Sequence, residues 1–356
     1  MAPIELNPEK LIEEVVDYSR KLQAGAERLC ATGGGGTGSS PREVVYREDK
    51  LTLYRYLPVT TAPATPNPVP LLIVYALVNR PYMADLQADR STIRNLLESG
   101  QPVYLIDWGY PDSVDRYLTL DDYINGYIDR CVDQLRARHE VDQINLLGIC
   151  QGGAMSLCYT ALHQPKIRNL VTMVTPVDFH TPDNMLSAWV QHLDVDLLVD
   201  VQGNIPGDFL NWTFLALKPF TLAGQKYVHL VDILEDDAQV ETFLRMEQWI
   251  FDSPDQAGET FREFIKQFYQ QNGLVRGEIT LGEQLVKLKD ITCPVLNIYG
   301  EQDHLVPPAA SRALKGLTAS KDYSELAFPG GHIGIYVSGK AQALIPSNIG
   351  QWLDAR

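Results

Sequence analysis

A chain of 356 residues with 45% hydrophobic and 21% charged residues can bury a core without disulfide staples. It suits one large domain, or one domain carrying an insertion. The net charge of -15 argues against nucleic acid as the main partner, because phosphate binding needs a basic footprint. A small anionic substrate held by a few local Lys or Arg residues stays compatible with it.

Five scattered cysteines (Cys30, Cys131, Cys150, Cys158, Cys293), with no C-x-x-C pair, suit a reducing cytoplasm better than a disulfide framework or a zinc site. The opening MAPIELNPEKLIEE lacks the basic start and apolar run of a signal peptide, and no stretch is apolar for long enough to predict a transmembrane helix.

Residues 7–30 read as a helix. Asn7 suits the N-cap, Pro8 the first helical position, and Leu11, Val15, Leu22 and Leu29 share a face. That face either packs on the main domain or docks a partner. The Gly-rich run 33–40 reads as a flexible linker, so residues 1–43 form a first segment.

Residues 44–46 and 51–56 suggest an antiparallel pair. Buried strands are predicted at 71–75, 103–106, 144–147 and 170–174, each a short apolar run. Helices are predicted over 84–98, 120–135 and 154–162. This alternation predicts an α/β fold with a mainly parallel sheet and helices on both faces. The rhythm stops after Pro176, and residues 177–290, rich in aromatic and acidic helical segments, read as an inserted cap. Strands return at 294–299 and 323–328, followed by a helix over 341–353. The catalytic core is therefore 44–176 with 291–356.

The sharpest local signal is Gly148-Ile149-Cys150-Gln151-Gly152, set between a strand and a helix. It matches the G-x-S-x-G nucleophile elbow of α/β-hydrolases with cysteine in place of serine. The backbone N–H of Gln151 would then begin the helix and serve an oxyanion, and Val78, in the loop after an early strand, is the candidate second donor. Asn79 and Arg80 beside it could contact substrate or brace the loop.

A nucleophile needs a base and a group to orient it. Asp303 and His332 follow two successive late strands, giving the hydrolase-fold order Cys150, Asp303, His332. His304 is expected to point away from the base position. His139, His163, His180, His192 and His229 have no motif around them. No pair has metal-ligand spacing, and Gly33–Gly36 do not follow a strand, so neither a metal nor a phosphate cradle is predicted.

These motifs, with Ala76-Leu77-Val78-Asn79-Arg80-Pro81-Tyr82-Met83, Asp107-Trp108-Gly109-Tyr110-Pro111, Thr175-Pro176-Val177-Asp178-Phe179 and Gly330-Gly331-His332-Ile333-Gly334, give a chain that resembles the catalytic subunit of class III polyhydroxyalkanoate synthases over nearly its whole length. The resemblance implies an α/β-hydrolase fold with Cys150, Asp303 and His332 as nucleophile, acid and histidine. It implies polymerisation of (R)-3-hydroxyacyl units, with 3-hydroxybutyryl as the suggested unit. They arrive as coenzyme A thioesters, so coenzyme A comes with the substrate and no separate cofactor is needed. It also implies an accessory subunit, self-association, and work in the cytoplasm at the surface of polyester granules. Two other readings share the motifs: a cysteine hydrolase or thioesterase releasing free hydroxy acid, and a hydrolase-like binding protein with an inert Cys150.

Overall fold

The computed structural model describes residues 38–63, 66–220 and 226–356. The helix expected over 7–30 and most of the Gly-rich run lie outside them. Eight strands form the main sheet: β1 (Arg42–Glu48), β2 (Leu51–Tyr56), β3 (Leu71–Val74), β4 (Val103–Asp107), β5 (Ile144–Ile149), β6 (Ile167–Met173), β7 (Val295–Gly300) and β8 (Tyr323–Phe328). They lie in the order β1-β2-β4-β3-β5-β6-β7-β8. β2 runs antiparallel to both neighbours, and every other pairing is parallel.

The central strands are apolar throughout because both of their faces are covered. Leu72 and Val74 of β3 join one buried cluster with Tyr104 and Ile106 of β4. Leu71 and Ile73 join another with Val103 and Leu105. This is the two-residue alternation of a strand with a core on either side. Helices α1 (Thr92–Glu98), α2 (Asp129–His139) and α3 (Gln151–Leu162) follow β3, β4 and β5.

Two expected helices differ in detail. Residues 85–91 are not helical: they form a short antiparallel hairpin, Asp85–Gln87 with Arg90–Ser91, and α1 starts only after Ser91 caps the Arg94 N–H. The buried Asp85 carboxylate accepts hydrogen bonds from Ser39, Ser40 and Ser91, which fixes the chain in the turn. The helix expected over 120–135 begins with a π-helical stretch at Asp122–Ile128 and runs on as α2 to His139.

Between β6 and β7 the chain is mainly helical. It carries α4 (Met185–Val190), α5 (Val195–Gln202), α6 (Gly207–Ala216), α7 (Lys226–Ile233), α8 (Asp237–Phe251), α9 (Gly258–Phe264) and α10 (Gly273–Arg276), plus a two-stranded ribbon, Thr280–Leu281 with Gln284–Leu285. Phe264 and Phe268 stack at 4.4 Å and pack with Phe179 into the main core. Val195, Val199, Ile205, Leu210, Phe261 and Ile265 form a small core of their own. After β7 come α11 (Pro308–Arg312), then, past β8, α12 (Gly334–Val337) and α13 (Gly339–Asp354).

Parallel pairing aligns the carboxyl ends of β3, β5, β6, β7 and β8 on one edge. Val74 sits beside Gly148, Ile149 beside Met173, Met173 beside Ile298, and Gly300 beside Phe328. The loops leaving that edge carry Val78, Cys150, Asp303 and His332, in the place where ligands collect in such sheets.

Candidate active site

Cys150 stands between β5 and α3 with φ 55° and ψ -123°, a conformation that costs a non-glycine residue about 1–3 kcal/mol. Its N–H donates to the Met173 carbonyl at 2.9 Å and its carbonyl accepts from the Gly153 N–H at 2.9 Å, so the bend is held from both sides. The flanking glycines have a steric reason. A Cβ on Gly152 would lie 2.3 Å from the Val74 carbonyl oxygen, and one on Gly148 would lie 2.6 Å from the Gly153 Cα. Asn79 (φ 60°) and Val174 (φ 45°) are also left-handed, so backbone strain gathers just past the ends of three adjacent strands, β3, β5 and β6.

Asp303 and His332 meet as the sequence order requires. His332 Nδ1 lies 2.7 Å from Asp303 Oδ2, with the carboxylate fully buried. The other carboxylate oxygen, Oδ1, accepts the N–H groups of Leu305 and Val306, both at 2.9 Å. Cys150 acts on the same ring and raises its proton affinity, and Nε2 is the nitrogen that Asp303 leaves free. Asp303 thus holds the ring by a direct hydrogen bond, and Cys150 bears on it electrostatically. His304 takes no part in it: its Nε2 is buried without a partner, and burial holds its proton affinity below the usual range.

Burial alone would push the His332 ring toward its neutral form. The Asp303 carboxylate, and then Cys150, outweigh burial and raise its pKa well above 6.5. A histidine raised in the folded state stabilises the protein fully below its unfolded pKa of about 6.5, and that stability is lost as pH rises through the folded value. The stability advantage of the wild type over His332→Gln should therefore be larger at pH 6 than at pH 9 in denaturant titrations. By NMR, Cys150→Ala should lower the His332 pKa. An unchanged value would remove the sulfur as a cause.

The Gln151 N–H is the first of α3 and has no partner within the helix. Among the described residues, neither it nor the Val78 N–H is engaged in a hydrogen bond. The Gln151 side chain accepts the Leu77 N–H at 3.0 Å, tying the two donor-bearing loops together. Asn79 and Arg80 brace the Val78 loop. The Asn79 amide reaches Asn211, Ser253 and the Ile250 carbonyl of the helical segment. Arg80 pairs with Asp107 at 2.8 Å, while its carbonyl accepts the Trp249 indole N–H at 2.7 Å.

Three tyrosines that sense Cys150 carry no signal in the sequence. Burial first, with Cys150 contributing, pushes up the phenols of Tyr75, Tyr269 and Tyr336. Their convergence depends on three distant segments, and the one local cue is that Tyr336 follows His332 by one helical turn.

The remaining described cysteines contrast with Cys150. Cys131, Cys158 and Cys293 are buried, and burial raises their pKa values, to about 11 for Cys293. Buried, protonated thiols are poor nucleophiles. Iodoacetamide should therefore alkylate Cys150 in the folded protein and reach these three only after denaturation, as read by peptide mass spectrometry.

The strand order, the strained bend before α3, and the Asp and His on the loops after β7 and β8 define a protein of the α/β-hydrolase fold. The family model described as alpha/beta hydrolase fold matches residues 69–338. In fold the chain is similar to a putative lipase from Sulfolobus solfataricus (TM-score 0.56, 16% identity, covering 88% of this chain and 99% of that one). An enol-lactonase from Burkholderia xenovorans is similar as well (TM-score 0.50, 17% identity, covering 88% and 100%). Among curated proteins, the poly(3-hydroxyalkanoate) polymerase subunit PhaC of Allochromatium vinosum is 69% identical over the full length of both chains. That of Thiocystis violacea is 65% identical over both full lengths, and that of Synechocystis sp. is 52% identical over 98% of this chain and 94% of its own. The chain belongs to the poly(3-hydroxyalkanoate) polymerase PhaC family, a family of acyltransferases, consistent with the class III subunit that its motifs resemble. These relatives favour polymerisation over the hydrolase or thioesterase reading.

Proposed function

We propose that the protein polymerises (R)-3-hydroxyacyl-coenzyme A, 3-hydroxybutyryl-coenzyme A in the first instance, through a thioester on Cys150. The observation that carries this reading is the Asp303–His332 pair and the strained Cys150 bend at neighbouring strand ends of a polymerase-family chain. His332 takes the Cys150 proton and the sulfur attacks the substrate thioester carbonyl. The N–H groups of Gln151 and Val78 hold the oxyanion. As the new sulfur–carbon bond forms, the bond to coenzyme A breaks, and coenzyme A leaves with the proton from His332. His332 then deprotonates the 3-hydroxyl of the next unit or chain, which attacks the acyl group and frees the sulfur.

Cysteine suits this role because the acyl group stays a thioester, close in free energy to the incoming one. Transfer to a hydroxyl then gives the more stable oxoester and drives elongation. The aromatic helices within 177–290 serve as a lid that keeps water from the acyl group. Asp303 orients His332, since both of its oxygens are already engaged. Coenzyme A arrives with the substrate, and the reaction needs no further cofactor.

The test is incubation with (R)-3-hydroxybutyryl-coenzyme A while following free thiol and polymer. Thiol released together with insoluble polyester supports the reading, and thiol with free 3-hydroxybutyrate overturns it.

We further propose an accessory subunit, self-association, and work in the cytoplasm at granule surfaces. No helix among the described residues is long and apolar enough to cross a membrane. Support comes instead from apolar side chains exposed on and just after α5 and α6: Leu197, Val201, Phe209, Trp212 (66% exposed) and Phe220 (87% exposed). Large apolar side chains left exposed in this number suit a contact surface. Trp212→Ser with Phe220→Ser should lower the fraction that sediments with polyester granules. Unchanged sedimentation would move the contact elsewhere. Gel filtration showing a fully active isolated monomer would remove the accessory subunit and self-association.

A further inference from the structure

Tyr336 lies on α12, one turn beyond His332, and is 1% exposed. Its ring packs edge-on against the His332 ring at 6.4 Å and is tilted against Tyr75 at 6.4 Å. Its hydroxyl is sealed from solvent and has no hydrogen-bond partner. A buried hydroxyl left unpaired is a standing cost to the fold, and a phenylalanine would avoid it at the same volume. The residue belongs to a large, mainly apolar buried cluster. The ring contact with His332 places the phenol beside the proposed reacting groups. Burial raises its pKa, so it remains a hydrogen-bond donor at neutral pH.

The acyl group proposed to sit on Cys150 has two polar features. Its carbonyl oxygen is served by the N–H groups of Gln151 and Val78. Its 3-hydroxyl oxygen, two carbons further along, has no other assigned donor. We propose that the Tyr336 hydroxyl donates a hydrogen bond to the 3-hydroxyl oxygen of the unit being loaded on Cys150, making Tyr336 the residue that selects 3-hydroxyacyl over plain acyl thioesters. This rests on the reading of Cys150 as the acylated residue. The free site carries the unpaired donor, a 3-hydroxyacyl group pairs it, and an alkyl chain leaves it unpaired. The difference appears as selectivity between the two substrates.

The test is Tyr336→Phe in the full chain, with first-turnover coenzyme A release measured for (R)-3-hydroxybutyryl-coenzyme A and for butyryl-coenzyme A. Wild type should prefer the hydroxylated substrate. In the variant, kcat/KM for that substrate should fall about tenfold, the worth of one hydrogen bond, with butyryl release unchanged. The melting temperature should hold or rise, because the unpaired hydroxyl is gone. An equal change on both substrates, no change on either, or a clear fall in melting temperature would overturn the proposal. Failure of the underlying reading looks different: wild type would then release no more coenzyme A than Cys150→Ala, whatever residue 336 is.

Discussion

Cys150→Ala should abolish both coenzyme A release and polymer formation, lowering the rate about 10⁴-fold or more. Removing the nucleophile of a coupled set removes the covalent route and leaves only what binding and oxyanion donors supply. The fold should survive. Alanine at φ 55° meets the same backbone strain that cysteine already bears, and the bend is held by main-chain bonds to Met173 and Gly153 that need no sulfur. The melting temperature should therefore stay within a few degrees. Cys150→Ser sharpens the result. Serine fits the elbow, yet it would hold the acyl group as an oxoester, so transfer to a second hydroxyl loses its downhill step. Polymer formation at the wild-type rate in either variant would move the chemistry away from this position.

The architecture and the meeting of Asp303 with His332 were readable because their signals are local. Buried parallel strands must be apolar on both faces, so β3 to β7 stood out as runs, and each proposed reacting residue sits just past a strand end. Conformations set by distant partners were not readable. Asp85 breaks the expected helix because Ser39 and Ser40, more than forty residues earlier, donate to its carboxylate. The stretch leading into α2 takes a π-helical form that leaves the apolar spacing unchanged to the eye. Asn79 braces the Val78 loop through Asn211 and Ser253, which belong to a segment whose aromatic composition predicts helices but not their docking.

Asp303→Asn should lower turnover about 10³- to 10⁴-fold while leaving the fold intact, and the reason lies in which oxygen does what. Oδ1 accepts two main-chain N–H groups, from Leu305 and Val306, and an amide nitrogen cannot replace it there. The asparagine oxygen must stay at that position, which turns its NH₂ toward His332 Nδ1. That nitrogen then has to accept rather than donate, so the ring proton moves to Nε2, the side facing Cys150. A base already protonated on its working nitrogen cannot take the thiol proton, and reversing the tautomer in this way is costly. The loss should fall on kcat rather than KM, since Asp303 reaches the substrate only through the ring. The NMR pKa of His332 should also fall further than in Cys150→Ala, because the carboxylate is the larger of the two charges raising it. Were Asp303 instead the base acting on the 3-hydroxyl, first-turnover coenzyme A release would stay near wild type and only elongation would fail. A burst of thiol without polymer would therefore overturn the orienting role.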